Sequence, residues 1–479
     1  MRRSSSTSQV SKSTRQRVRR LAGGSLVAFA LIVPAACGGS TLSPSYVQRV
    51  NGQSGTNGTN ADNAGTDGTG SSGTAAGKGG SSGGGSGSGG SGGNSASLPG
   101  VKAASCTGFK NQKGITDKTI QLGNSSDISG PVPGLFTAAQ QGTKAYIAYF
   151  NATSSICGRK LQLTTLDSRT DAGADQQAYS KLCESTFAAV GSMSAFDSGG
   201  AATTQSCGLP DIRTAAVTAT RNACSTCFGA QATGAREFSN EVPDFFVKNY
   251  HAASQKAAFL YLNAGASAEN AVTQQKIETR RGMHFVYSSG IDVAEFNYGP
   301  YVQQLKDKGV RWVQFIGGYQ QGVRLAQAMQ SASYKPDVMF FDPTVYDAGF
   351  VKSGGSAVDG AITFTNFTPF EQSQPEVNLY KQWLHQVAPG ATPTFFGLFA
   401  WSAAKLFVAE SLSLGGKLTR ASLVAKVKGV HAWTANGAHG PMDVGGKHSP
   451  SCVRFLQLHH GRWVPLKGTA YVCHGAGKA

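Results

Sequence analysis

The chain has 479 residues and a formal net charge of +17. Residues 1–36 contain seven basic residues and no acidic one, so their removal would lower the net charge from +17 to +10. The remaining basic residues are scattered rather than arranged in a stripe, which argues against a nucleic-acid-binding surface. Length and composition therefore indicate a soluble, basic protein with room for two lobes.

The N-terminus has the three parts of an export signal. A basic segment is followed by an apolar segment at 21–33, and two alanines precede Cys37. The apolar segment has about 13 residues, fewer than the roughly 20 that a membrane-spanning helix needs. No later stretch reads as long and apolar enough to span a bilayer. Residues 1–36 are therefore predicted to be a signal peptide.

The stretch LIVPAACGGS resembles the lipobox of bacterial lipoproteins, in which cleavage precedes a cysteine that receives lipid through its sulfur. Pro34 stands where that motif prefers leucine, three residues before the cysteine. Cys37 is predicted to carry lipid and to hold the protein on the outer face of the cytoplasmic membrane. The alternative is plain secretion.

The next segment lacks the residues that build a core. Between 51 and 97 there is no Leu, Ile, Val, Met or aromatic residue. Such a composition cannot bury enough apolar surface to offset the entropy lost on ordering. Residues 37–104 are therefore predicted to form a disordered tether rich in Gly and Ser.

After residue 98, short apolar segments alternate with segments of helical periodicity. This alternation predicts right-handed βαβ units and parallel sheets, in which ligands bind beyond the carboxyl ends of the strands. A hairpin signal around His459 and His460 breaks the alternation near the end. The predicted strands are 120–123, 161–166, 187–191, 257–262, 283–287, 312–317 and 338–341. The predicted helices include 174–186, 241–251, 268–281, 298–308, 320–332, 376–387, 396–413 and 419–428, after a first helix in TAAQQGTKAYIAYFNA.

Six segments follow one another in an order and spacing that are typical of one family. They are GITDKTIQLG, SSDISGP, ICGRKLQLTTLDSRTD, VGSMSAFDSGGA, FIGGYQQGVRLAQAM and HGPMDVGGKH. Together they resemble the type I periplasmic binding proteins that serve ABC importers for branched-chain amino acids and related small molecules. The resemblance covers most of the predicted folded part, from about residue 114 to residue 467.

This resemblance implies an α/β fold with two doubly wound parallel-sheet lobes, joined by a three-strand hinge, and a ligand cleft between them. Lobe 1 would comprise residues 105–236 with 366–440, and lobe 2 residues 237–365 with 441–479. The implied function is a solute-binding lipoprotein that captures a small polar molecule, such as an amino acid, an amide or an organic acid. It would deliver this ligand to the permease of an ABC importer as a monomer, without a cofactor or metal.

Family members that bind amino acids hold the α-carboxylate with hydroxyls and backbone amides of the first lobe, and the ammonium with an acid of the second. Phe196 and Tyr319 lie in loops and are predicted to stack on the ligand. For each hydroxyl at a matching position, the alternative is a loop cap. The first-lobe positions that match the binding loops are Ser129, Ser192, Ser194, Ala195, Thr214, Ala216 and Thr218.

The second lobe departs from the family pattern. Where amino-acid binders have a glutamate after the GGY-like turn, this sequence has Gln320 and Gln321, which form hydrogen bonds but carry no charge. Asp342 could replace the missing acid, as could Asp127 or Asp197, although a turn residue is the alternative for Asp342. An amide, a neutral polar molecule or a carboxylate without an amine therefore fits as well as a branched-chain amino acid.

Eight cysteines follow Cys37, and an oxidising compartment favours pairing among them. Four bridges allow 105 connectivities, and Cys452 and Cys473 flank the predicted hairpin. The CSTC segment has redox spacing but lies in a polar loop, where a structural disulfide is the preferred interpretation. The candidates for disulfide formation are Cys106, Cys157, Cys183, Cys207, Cys224, Cys227, Cys452 and Cys473.

Two other functions compete with import. The same fold could sense a ligand and signal to a separate membrane receptor, and an exported thiol-redox or hydrolytic enzyme is a residual alternative. The sequence contains no HExxH motif, no pair of metal-binding CxxC motifs and no phosphate-binding loop of the GxxxxGK type. A binding protein without enzymatic activity is therefore the preferred interpretation.

Overall fold

The computed structural model describes residues 101–479. The predicted signal peptide, Cys37 and the predicted tether up to residue 100 lie outside the described residues. Residues 101–104 differ from the expected tether, because Val101 and Ala103 pack against the core and the amide of Ala104 donates to the carbonyl of Leu412 at 2.9 Å. These four residues belong to the folded body.

Five parallel strands form the first sheet in the order β2-β1-β3-β4-β5. The order changes direction between β1 and β3, and ligands of open α/β sheets bind beside such a switch point. The strands are β1 (Thr119–Ser126), β2 (Lys160–Asp167), β3 (Ala188–Val190), β4 (Asp211–Ala215) and β5 (Cys227–Gln231).

The second sheet repeats this order in its parallel part, β8-β7-β9-β10-β11, and therefore has its own switch point between β7 and β9. Antiparallel strands β12 and β13 extend it beyond β11, and β14 pairs with β12. A separate pair joins β6 to β15. The strands are β6 (Glu237–Ser239), β7 (Ala257–Leu262), β8 (Phe285–Ile291), β9 (Trp312–Ile316), β10 (Val338–Phe341), β11 (Ile362–Thr365), β12 (Cys452–His459), β13 (Arg462–Leu466), β14 (Val472–Cys473) and β15 (Ala476–Lys478).

Helices cover the sheets, and α1, α11 and α12 pack together beside the first sheet. The last helix, α13, begins at the predicted N-cap Thr419, whose hydroxyl accepts a hydrogen bond from the amide of Ser422 at 3.0 Å. The α-helices of the described residues are α1 (Thr137–Thr153), α2 (Ala172–Ser185), α3 (Ala201–Ser206), α4 (Ala219–Ala223), α5 (Glu241–Asn249), α6 (His251–Ser254), α7 (Gly265–Arg280), α8 (Gly299–Asp307), α9 (Tyr319–Ser331), α10 (Ala348–Gly354), α11 (Pro375–Val387), α12 (Phe395–Leu414) and α13 (Arg420–Lys428).

The predicted fold class, with two mainly parallel sheets, is confirmed. The predicted strands and helices are present, with ends that differ by a few residues. Strands β4, β5, β6, β11, β14 and β15 were not predicted. The sequence of β4, DIRTA, resembles a polar loop because it contains Asp211 and Arg213, yet both side chains are fully buried.

A network of buried charges explains how this strand lies in the interior. Arg221 Nη2 lies 2.8 Å from Asp175 Oδ2, and its Nη1 lies 3.2 Å from Asp211 Oδ2. Arg213 Nη1 lies 3.2 Å from the same oxygen of Asp211, and its Nη2 lies 3.7 Å from Asp197 Oδ2. All five side chains are shielded from water, so that each charge depends on its partners for stabilisation.

Four disulfides link the eight cysteines of the described residues. Cys224 and Cys227 are buried, and Arg221 Nη1 lies 3.6 Å from the sulfur of Cys227. This burial limits attack by an external thiol, in keeping with a structural bond. The pairs are Cys106–Cys157, Cys183–Cys207, Cys224–Cys227 and Cys452–Cys473.

The prediction that no later segment is long and apolar enough to span a bilayer is wrong for one helix. Among the described residues, Phe395–Lys417 is long and apolar enough to cross a bilayer. It consists mainly of α12, whose side chains are buried against α1 and strands of the first sheet. Its apolar character is that of a core helix, which is hydrophobic on every face.

We expect replacement of Arg221 by leucine to destabilise the protein strongly, because Asp175 would lose its cation and Asp211 would keep only Arg213. Removal of one partner from a buried ion pair costs about 3–5 kcal/mol. The matched control is Arg281→Leu, which breaks a partly exposed pair with Asp244 and should cost less than about 1 kcal/mol. Urea unfolding of both variants measures the difference, and equal losses would contradict the assignment.

Candidate functional site

A cavity of about 210 Å³ lies between the carboxyl ends of the two parallel sheets. We call it the cleft cavity. Its wall includes Phe136 after β1, Met193 after β3 and Val217 after β4. From the second sheet it includes Ala264 after β7 and Gly317 after β9. Both switch points therefore face the same cavity, where parallel-sheet folds place their ligands.

Most of this wall is apolar. The rings of Phe136 and Phe396 meet edge to face, with centroids 4.7 Å apart, and Phe395 lies beside Phe396 at 5.0 Å. Such a surface favours a ligand with an apolar body. Further apolar side chains in the wall are Val132, Leu135, Met193, Phe196, Val217, Phe238, Leu262, Val293, Ile316, Phe364 and Val453.

Asp342 is the acidic side chain of the wall at the end of β10. Its Oδ1 lies 2.6 Å from the hydroxyl oxygen of Thr344, which also lies 2.7 Å from the carbonyl oxygen of Gly317. Burial raises the pKa of Asp342 to about 7, against the lowering effect of the hydrogen bonds from Thr344 and neighbouring amides. Asp342 thus changes protonation state near neutral pH.

Glu237, the other acid of the wall, already has polar partners. Its Oε1 lies 3.0 Å from His448 Nδ1 and 3.5 Å from Lys478 Nζ, and its Oε2 accepts a hydrogen bond from the amide of Ser449 at 2.9 Å. The residues that line the cavity include no Lys, Arg or His.

A second buried acid lies behind the wall. Gln274 of α7 lines the cavity and accepts a hydrogen bond from Gln314 Nε2 at 3.1 Å. Glu278, one turn farther along α7, is fully buried, and no basic side chain of residues 101–479 pairs with it. Burial raises the pKa of Glu278 to about 8, and its contact with Gln314 offsets only part of this effect.

Two hydrogen bonds join loops of the first sheet to helix α7 at the edge of the second. The amide of Ala266 donates to the carbonyl of Ala195 at 2.9 Å. The amide of Ala219 donates to Glu269 Oε2 at 2.8 Å. These contacts hold the two sides of the cavity together on the side of β3, β4 and α7.

Three predicted ligand residues, Ala195, Phe196 and Asp342, line the cleft cavity. The amide of Ala195 donates to Asp127 Oδ2 at 2.8 Å and is therefore already engaged. Asp127 also accepts hydrogen bonds from Ser168 and Thr170, and burial raises its pKa.

The five predicted hydroxyls lie outside the cavity wall and form hydrogen bonds within the first-sheet region. Each of them makes a hydrogen bond within the protein, as the alternative of a structural role predicts. Ser129 donates to Asp167 at 2.5 Å, Ser192 accepts from the amide of Ser125 at 3.1 Å, Ser194 accepts from the amide of Phe196 at 3.2 Å, Thr214 donates to the carbonyl of Gly191 at 3.0 Å, and Thr218 donates to Asp197 at 2.6 Å.

The remaining predicted residues lie next to the wall. Ala216 is buried, and its carbonyl accepts a hydrogen bond from the hydroxyl of Thr233. Tyr319 is the first residue of α9 and lies against Gly349. Gln320 Oε1 is buried and accepts no hydrogen bond within the described part of the chain.

Several residues of the wall were not predicted from the sequence. Phe395 and Phe396 begin α12 directly after its N-cap Thr394, so the capping signal could have placed them at a helix start. Asn366 follows β11, which was not predicted, and it is 2% exposed in the wall. No local pattern marks Gln274, because its role depends on which face of α7 meets the cavity.

Comparison with known proteins gives one family match. A profile of the family described as "Periplasmic binding protein" matches residues 119–462. No curated protein matches the chain.

Solved structures of similar fold include a leucine binding protein from Thermotoga maritima MSB8, with TM-score 0.64, 12% identity, and coverage of 74% of this chain and 99% of that chain. A branched-chain amino acid transporter substrate binding protein from Streptococcus pneumoniae, in complex with isoleucine, has TM-score 0.62, 13% identity and coverage of 74% and 100%. A solute binding protein from R. palustris, in complex with 4-hydroxybenzoate, has TM-score 0.60, 16% identity and coverage of 75% and 97%.

We expect Glu278 to make the free energy of unfolding decrease as pH rises. Its folded pKa of about 8 exceeds the ordinary value of 4.5, so its contribution is fully present below pH 4.5 and lost by about pH 8. The Glu278→Gln variant lacks this titration. Between pH 4.5 and pH 8, the free energy of unfolding of the variant minus that of the unmodified protein should therefore rise by up to about 5 kcal/mol. The control is Glu184→Gln on the exposed face of α2. Urea unfolding at several pH values is the measurement, and a constant difference for Glu278→Gln would contradict the prediction.

Proposed function

The chain belongs to the periplasmic binding protein family, which is a family of binding proteins and not of enzymes, and on this basis we propose that it is a solute-binding protein of an ABC importer. The observation that carries the proposal is the cleft cavity, which lies between the carboxyl ends of two sheets of the same strand order. A small molecule held there would contact both sheets, so that its binding would favour a closed arrangement.

The character of the wall supports a ligand that combines an apolar body with a polar group. The isoleucine and 4-hydroxybenzoate bound in two of the structurally similar proteins are of this kind. In this chain the rings of Phe136 and Phe396 would contact the apolar body, and Asp342 and Asn366 offer polar contacts. The proposed ligand is therefore less polar than the sequence alone predicted.

We assign residues 105–236 with 366–440 to one lobe and 237–365 with 441–479 to the other. Under this assignment the hydrogen bonds from Ala266 to Ala195 and from Ala219 to Glu269 connect the two lobes beside the cavity. They would break when the lobes separate to admit a ligand. The closed form would be the one that a permease recognises.

We further propose that Cys37 is lipidated after removal of residues 1–36, and that the mature protein is anchored on the outer face of the cytoplasmic membrane. Support comes from the signal-like segment and the cysteine that ends it. Four disulfides in the described residues suit an oxidising compartment outside the cytoplasm.

The ligand proposal predicts a higher unfolding midpoint in the presence of at least one member of a panel of amino acids, amides, amines and organic acids. Binding stabilises by RT ln(1 + [L]/Kd), about 2.7 kcal/mol at a ligand concentration of 100 times Kd. Ser267→Trp places a large side chain at the wall and should abolish the shift. Ala268→Trp, one residue farther along α7 and outside the wall, should preserve it. A panel without any shift would contradict the proposal.

The anchoring proposal predicts that the mature chain begins at a lipid-modified Cys37. Mass spectrometry of protein from the membrane fraction should detect an N-terminal peptide with the added mass of the lipid. Cys37→Ser should move the protein to the soluble fraction, because the thiol that accepts lipid is lost. An unmodified Cys37 in membrane-associated protein would contradict lipid anchoring.

A further inference from the structure

We propose that the cleft cavity selects an apolar molecule with an ammonium group and no carboxylate, and that Asp342 supplies the counter-charge. This inference rests on the proposed function, because it specifies the ligand of the same site. It is narrower than the class of amino acids, amides and organic acids that the sequence predicted.

The first support is the balance of charge in the wall. Asp342 and Glu237 are its ionisable side chains, and it contains no basic one. Glu237 already lies near His448 and Lys478. Within residues 101–479, no basic side chain forms an ion pair with Asp342. A cationic ligand would therefore supply a charge that the protein lacks there.

The second support is the hydroxyl of Thr344, which Asp342 shares with another acceptor. The hydroxyl of Thr344 lies within hydrogen-bond distance of both Asp342 Oδ1 and the carbonyl oxygen of Gly317, at 2.6 and 2.7 Å. A hydroxyl has one proton and can donate fully to only one of them. Backbone amides of Gly317 and Thr344 also donate to the carboxylate of Asp342. When the hydroxyl of Thr344 donates to Asp342, the carbonyl of Gly317 lacks that donor, and an N–H group of a ligand would replace it.

Other acceptors in and behind the wall point in the same direction. Asn366 Oδ1 is buried and accepts no hydrogen bond from the described residues. Gln320 Oε1 and Gln321 Oε1 are also buried and accept no hydrogen bond from the described residues. Both oxygens lie close to Gly318 of the wall, because a Cβ atom added to Gly318 would be 3.2 and 2.7 Å from them. Buried acceptors require donors. An ammonium group provides three donors and no acceptor.

A carboxylate finds weaker support in the same cavity. The amide of Ala195 is engaged by Asp127, and the predicted hydroxyls lie outside the wall. Neutral groups of the wall, such as Asn270, Gln274 and the hydroxyl of Ser239, can donate hydrogen bonds to an anion but cannot compensate its charge. An ionised Asp342 would also repel an anion, and the low polarity of the wall strengthens such a repulsion.

Two series of size-matched probes test this inference on the mature full-length protein. The aromatic series is phenethylamine, phenylalanine and 3-phenylpropionate, and the aliphatic series is isopentylamine, leucine and 4-methylpentanoate. Calorimetric titration at pH 8 should give a dissociation constant for the amine at least tenfold lower than that of the matched acid, in at least one series. The zwitterion should not exceed the amine in affinity.

Asp342→Asn should weaken amine binding at least tenfold, because the amide keeps the shape of the side chain and removes its charge. The control is Asp347→Asn, which makes the same change at the N-cap of α10, outside the wall. It should change affinity less than threefold. A midpoint of unfolding near that of the unmodified protein verifies that each variant is folded.

The pH dependence gives an independent readout. Because burial raises the pKa of Asp342 to about 7, amine affinity should rise about tenfold per pH unit below pH 7 and level off above it. An acid held by protonated Asp342 would show the opposite trend. Glu237 is the other ionisable group of the wall and is next to His448, so the difference from Asp342→Asn isolates the contribution of Asp342.

The outcomes separate this inference from the proposed function. Tighter binding of an acid or a zwitterion than of the amine, in both series, would overturn the inference and leave a solute-binding protein. The inference would also be overturned if the Asp342→Asn variant bound the amine as tightly as the unmodified protein does. If all six probes fail while another member of the wider panel binds, the inference fails alone. If the whole panel fails, both proposals fail.

Discussion

The buried charges of Arg221 and Arg213, with Asp175, Asp211 and Asp197, hold the loops at the carboxyl end of the first sheet. Charges without access to water require nearby partners, and each of these side chains reaches a different part of the chain. Asp197 also accepts hydrogen bonds from the amides of Val217 and Thr218. Because Val217 lies in the wall of the cleft cavity, the position of this part of the wall depends on the network.

This arrangement uses the hydroxyls of the predicted binding loops for the scaffold rather than for a ligand. Ser129, Thr214 and Thr218 donate to carboxylates or a backbone carbonyl of the first-sheet region. The cavity is consequently lined mainly by aromatic and aliphatic side chains, with Asp342 as the acid that has no ion-pair partner in the described residues. Under our proposal, selectivity would arise from Asp342 in a mainly apolar site, whose low polarity strengthens electrostatic interactions.

The fold was easier to predict than the site. Strands such as β7 and β9 are continuous apolar segments, and burial on both faces requires that composition. Strand β4 was missed because Asp211 and Arg213 are compatible with a buried strand only when distant partners compensate them. The site shows the same division: Phe196 and Asp342 follow strands and were predicted near the ligand, whereas Phe396 and Asn366 come from later segments that only folding brings to the wall.

The sequence by itself determined the alternation of strands and helices, the family, and the loops that follow the strands, because these depend on local periodicity and on the order of segments. Only the tertiary structure decided how the eight cysteines of the described residues pair and which polar groups remain available. A serine or threonine in a binding loop has the same sequence signature whether it faces a ligand or a neighbouring carboxylate. Its partner is set by contacts between residues far apart in the chain, as Ser129 and Asp167 illustrate.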